Sequence, residues 1–87
     1  QNYPNPFNSG TVIRFALPIR EEVDLAVFNL AGQRVTGLVD GQREAGTYAV
    51  RWDGRDESGR ALASGVYLYR LRVGRQQVET RKLVLVR

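Results

Sequence analysis

Two stretches of the chain place an apolar side chain at every second position: Ile13, Phe15 and Leu17 in one, Tyr48, Val50 and Trp52 in the other. A period of two sends alternate side chains to opposite faces of an extended strand, whereas a helix needs spacings of three and four. The first stretch reads as a strand from Thr11 to Leu17 that Pro18 ends. The second reads as a strand from Thr47 to Trp52 with Tyr48, Val50 and Trp52 turned inward. A chain of 87 residues has room for one core, and folding hides only about 60–65% of the surface that the unfolded chain exposes. The core is therefore thin, and an inward Trp matters to it.

The remaining segments follow the same logic. Residues 1–10 contain Pro4 and Pro6, which disfavour helix, so they read as a linker that docks on the edge of a domain spanning 11–87. Between Glu22 and Asn29 the pattern fits a helix through Val23, Ala26, Val27 and Leu30, or a strand through Val23, Leu25 and Val27. Short length, β-branching and the turn that follows favour the strand. Leu30-Ala31-Gly32 then forms a three-residue hairpin loop with Gly32 at positive φ, and Gln33 to Val39 returns, interrupted by Gly37. Asp40-Gly41 and Ala45-Gly46 bracket a further turn. Asp53 to Ser64 is too long and polar for a tight hairpin and crosses between sheets. Gly65 to Val73 and Gln77 to Val86 are strands joined at Gly74-Arg75-Gln76. Together they describe an all-β fold, an immunoglobulin-like antiparallel β-sandwich of about seven strands, with a partly open barrel as the alternative.

The chain has neither His nor Cys, so the usual general base, the commonest metal ligand and the best nucleophile are all missing. We expect no enzyme activity and no cofactor. The Asp53-Gly54-Arg55-Asp56-Glu57-Ser58-Gly59 segment has the oxygen ligands of a calcium loop, but Arg55 and Arg60 oppose a cation, and a plain turn is the preferred reading. A net charge of +4 invites a nucleic-acid reading, yet the basic residues are spread along the chain with acids among them, and no nucleic acid is expected. Tyr48, Trp52, Tyr67 and Tyr69 offer an aromatic platform for sugar rings, with Trp52 assigned instead to the core and one of Tyr67 and Tyr69 left as an exposed contact. The chain starts at Gln1, lacks Met and shows no leader or membrane-inserting segment, so it reads as a piece cut from a longer chain, expected to be a module of a larger protein.

Four motifs occur in a fixed order: Pro4-Asn5-Pro6-Phe7-Asn8, Trp52-Asp53-Gly54-Arg55-Asp56, Gly65-Val66-Tyr67-Leu68-Tyr69-Arg70, and Arg81-Lys82-Leu83-Val84-Leu85-Val86-Arg87. In this order the chain resembles a type A C-terminal sorting domain of the type IX (Por) secretion system. It departs from that pattern after Asn8, where Ser9-Gly10-Thr11 stands without the usual Pro. The resemblance implies a domain of Bacteroidota proteins that directs a covalently attached N-terminal cargo through the outer membrane. The implied partners are the translocon and its sortase, and the implied path runs from the periplasm to the cell surface or the medium. It assigns recognition to Gly65, Tyr67, Lys82, Leu83, Val84, Leu85, Val86 and Arg87, and an opening motif to Pro4, Asn5, Pro6 and Phe7. The alternative is a carbohydrate-binding or spacer sandwich of a secreted multidomain hydrolase. The middle of the chain is also similar to the immunoglobulin-like domain of flagellar hook-capping proteins, a kinship that bears on fold more than on function.

Overall fold

The computed structural model describes residues 2–4 and 10–86. The described residues form seven strands: β1 (Asn2–Pro4), β2 (Thr11–Leu17), β3 (Glu21–Phe28), β4 (Arg34–Arg43), β5 (Gly46–Trp52), β6 (Gly65–Val73) and β7 (Gln77–Leu85). They form a three-stranded sheet in the order β1-β2-β5 and a four-stranded sheet in the order β4-β3-β6-β7, with every pairing antiparallel. This is the expected immunoglobulin-like sandwich. The chain passes between sheets after β2, after β4 and after β5. Among the described residues no helix is long and apolar enough to cross a membrane.

The alternations place the core where period two demands. Ile13 and Leu17 from β2, Val23, Leu25 and Val27 from β3, Trp52 from β5, Tyr69 and Leu71 from β6, and Leu83 and Leu85 from β7 meet between the sheets. Ala26 accounts for the helix-like spacing of β3. It is fully buried although alternation puts its neighbours Leu25 and Val27 on the inner face, because it sits in a central strand between Gly37 of β4 and Arg70 of β6.

The structure lengthens one strand beyond its sequence reading. Asp40-Gly41 is not a turn: Asp40 pairs with Asp24 and Gly41 with Val23, and β4 runs on to Arg43. The ladder offered by Glu21 to Val23 outweighs the local turn preference of an Asp-Gly step. The two opposed acidic residues lie beside Arg72, which pairs with Asp24 from the other side. The same β3–β4 pair carries two register shifts, at Leu25/Ala26 and Val27/Phe28, which leave Leu38 and Val35 as extra residues on β4. Both pack against the core.

Turn chemistry matches the chain at both hairpins. Asn29 closes the β3–β4 loop: its Oδ1 accepts hydrogen bonds from the Ala31 and Gln33 amides at 3.0 and 2.9 Å, and Gly32 has φ of 85°. Gly74, with φ of 61°, opens the β6–β7 turn and donates its amide to the Glu22 carbonyl at 2.8 Å. Asn2 to Pro4 of the opening segment pair with Ile13 to Thr11 at the edge of the smaller sheet. Gly10, which follows, is buried with φ of 139°, and a Cβ there would strike the Trp52 carbonyl oxygen.

Two substitutions test this core. Trp52→Ala removes the largest buried side chain and should cost on the order of 3–5 kcal/mol in chemical denaturation; a loss below about 1 kcal/mol would show that Trp52 does not fill the core. Gly10→Ala should cost on the order of 1–3 kcal/mol, because both the backbone conformation and the contact with the Trp52 carbonyl oppose a side chain. An unchanged denaturation midpoint for Gly10→Ala would contradict the close approach.

Candidate functional site

Three regions carry the residues to which sequence reasoning gives a role: the loop after Trp52, the aromatic residues, and the terminal strands. The loop, residues 53–64, is built around its own acids. Asp56 Oδ1 accepts hydrogen bonds from the Ser58 hydroxyl at 2.7 Å and from the Ser58 and Arg60 amides at 3.0 Å each. These bonds, the Ser58 hydroxyl first, hold the Asp56 carboxyl below its usual range. Asp53 Oδ1 accepts from the Arg55 amide at 3.1 Å, and the Arg55 guanidinium donates to the Gly59 carbonyl at 3.0 Å. The carboxylates thus serve as turn-forming acceptors, and among the described residues no group of three or more acids gathers as a metal site would require. The loop is also docked. The Glu57 amide donates to the carbonyl of Val35, an extra residue of the β4 bulge, at 3.2 Å, and Glu57 faces Arg34 at 3.6 Å.

Tyr48, Trp52, Tyr67 and Tyr69 pack in or against the core and form no exposed platform. Trp52 and Tyr69 are buried, and Tyr48 and Tyr67 are half-buried against the core. Phe15 stacks on Tyr48 with ring centroids 5.1 Å apart, and Trp52 meets Tyr67 edge to face at 5.2 Å. Burial pushes the Tyr69 phenol above its usual value. Neither Tyr67 nor Tyr69 is the exposed contact that a sugar platform needs.

One device in this region escapes the sequence reading. The Tyr48 hydroxyl donates to the Glu44 carbonyl at 2.6 Å, and the Tyr67 hydroxyl donates to the Ala63 carbonyl at 2.8 Å. Each is a tyrosine corner, in which a phenol near a strand start ties back to the backbone four residues upstream. Its signal stands in the sequence twice, as Ala45-Gly46-Thr47-Tyr48 and Ser64-Gly65-Val66-Tyr67. Gly46 and Gly65 share nearly the same φ, 150° and 154°, at the first position of β5 and of β6. Gly65 and Tyr67, assigned to recognition from sequence, therefore have a structural task.

The C-terminal strand divides by face. Leu83 and Leu85 are fully buried, whereas Lys82, Val84 and Val86 are exposed, with Val84 opposite Val66 on the outer surface. Leu83 and Leu85 are core residues unavailable to a receptor. Pro4 pairs with Thr11 in β1, while Asn5, Pro6 and Phe7 of the opening motif, and Arg87, lie outside the described residues. The structure brings these positions side by side, with Gly65 paired to Leu85 and Tyr67 to Leu83, but divides them by face: Tyr67, Leu83 and Leu85 pack inward, while Lys82 and Val84 face outward.

Comparison with known proteins decides between the two resemblances. The family model of the FlgD Ig-like domain matches residues 5–77. A solved structure of FLGD from P. aeruginosa superposes with a TM-score of 0.66 at 26% identity, covering 87% of this chain. The chain spans 59% of that FLGD chain. None of the curated proteins matches. The expected type IX sorting function, with its Bacteroidota setting, is therefore corrected: both matches are to FlgD, and neither is to a sorting domain. The carbohydrate-binding or spacer alternative gains no support from them either, and the inward aromatics remove its proposed platform. Matched over most of its length, the chain belongs to the FlgD Ig-like domain family.

Proposed function

We propose that this domain is a non-catalytic part of a hook-capping protein and serves flagellar hook assembly. The observation that carries the reading is the FlgD Ig-like match over residues 5–77, which takes in β2 to β6 and ends at Gln77, the first residue of β7. The likeness to the P. aeruginosa FLGD structure over 87% of the chain supports it. The chemistry agrees with an assembly role. The chain has no His or Cys, and Asp53 and Asp56 are engaged in shaping their own loop. What the domain offers a partner is a stiff double sheet with loops pinned by tyrosine corners and Asp-centred turns. It acts at the cell surface, where a hook is built.

The reading is tested by exchange. In a motile bacterium, residues 1–87 would replace the Ig-like domain of the resident FlgD, with the rest of that protein kept. Hooks seen by electron microscopy, and swimming in soft agar, should be restored by the graft and lost again when the graft carries Trp52→Ala. A folded, exported chimera that builds no hooks would overturn the reading.

A further inference from the structure

The first and last strands, β1 and β7, contact each other on one side of the sandwich, and the edges of β4 and β5 lie on the opposite side, joined by Glu44-Ala45. Among the described residues no strand pairs with the outer edge of either β4 or β5. The edges differ in what they offer another chain. β4 is broken by two register shifts and contains Gly37 and Gly41, while β7, across the molecule, carries the ion pair of Glu79 and Arg81 at positions that alternate with the core. Bulges and inward-pointing charges both discourage a strand from pairing with a stranger. β5 has neither device. It pairs with β2 residue for residue from Gly46 to Trp52, contains no proline, and bears a single charge, Arg51, on its outer face. Its inner-face residues Tyr48 and Val50 are only half-buried, and Thr47 and Ala49 on the outer face are small and exposed.

We propose that β5 is a self-association edge, to which a second copy of this chain adds its own β5 antiparallel, about a two-fold axis at Ala49. A two-fold interface must be complementary to itself, and this strand meets that condition. Pairing centred on Ala49 sets Tyr48 beside the other copy's Val50, so each half-buried side chain covers the other. On the outer face Ala49 meets its twin, and Arg51 falls opposite Thr47, so no like charges face each other within the ladder. Charge at the strand ends agrees. Glu44 is held by Arg20, which leaves Arg43 before the start of β5, and antiparallel pairing brings that start beside the other copy's Asp53. A seven-residue edge covers far less than the roughly 1,200 Å² of a stable complex, so the isolated domains should pair weakly, with a dissociation constant on the order of 1 mM. The inference goes beyond the hook-assembly reading and stands or falls separately from it.

The test is a concentration series of isotope-labelled protein, from about 50 µM to about 3 mM in roughly 0.15 M salt, where the repulsion between two domains of like net charge is largely screened. Amide chemical shifts should move with concentration at Gly46–Trp52, and hydrogen exchange at the outward amides of that strand should slow. Ala49→Lys and Ala49→Glu, made at an exposed position, should each weaken association at least about threefold, because two like charges then meet at the axis. An equimolar mixture of the two variants should associate more tightly than either alone. Shifts unchanged away from β5 establish that each variant is folded, and the unsubstituted series stands without them. Shifts that do not depend on concentration up to about 3 mM, or that centre on β4, on β7 or on Val66 and Val84, would overturn the proposal. So would variants that associate as the unsubstituted protein does, or a mixture no tighter than its components.

Discussion

Everything in this domain leans on how Trp52 is held. Its ring lies between the sheets, its edge-to-face contact with Tyr67 joins β5 to β6, and its indole N–H donates to the Arg55 carbonyl at 3.0 Å. The first contact fixes one sheet against the other. The second fixes the crossing loop against the strand that feeds it. A third constraint comes from its backbone, since Gly10 approaches the Trp52 carbonyl so closely that no side chain fits, and Thr11 pairs with Trp52 in the ladder. A thin core has few residues able to touch so many elements at once, and a buried indole supplies area and a directed donor together.

Around that anchor, loops are secured by small repeated devices. The two tyrosine corners pin the chain where it enters β5 and β6, and in both cases the strand has just arrived from the opposite sheet. Such crossings need a defined angle, and a phenol bonded to a carbonyl four residues back provides one without consuming core volume. The β4 bulge contributes differently. By taking Val35 out of register it directs a carbonyl to the Glu57 amide, so a distortion in one strand becomes the docking point of a loop.

Much of this architecture is legible in the sequence because a period of two survives wherever one face is buried and the other is not. Ile13, Phe15 and Leu17 declare β2, and Leu83 and Leu85 separate correctly from Lys82 and Val84 on β7. Legibility fails where neighbours, not faces, decide burial. Ala26 is enclosed by adjoining strands and mimics a helical spacing, and the Asp40-Gly41 step obeys its pairing with β3 over its own turn preference. The role of the chain is less legible still. Motif order points to export, whereas Gly65 and Tyr67, central to that argument, owe their spacing to a strand-entry device that any such sandwich can use.

The strand order has a consequence for how the chain reaches this state. Hairpins β3–β4 and β6–β7 join sequence neighbours, but the pairings that define the sheets, β2 with β5 and β3 with β6, each wait for a long intervening segment to loop back. The entropy of closing those loops is lost before the contacts that offset it exist, which places folding in the slower range of milliseconds to seconds typical of such topologies. Since β3 sits at the centre of its sheet and has no second neighbour until β6 arrives, a nascent chain that ends before Val73, the last residue of β6 and about five-sixths of the way along these residues, leaves a central strand without its full cover.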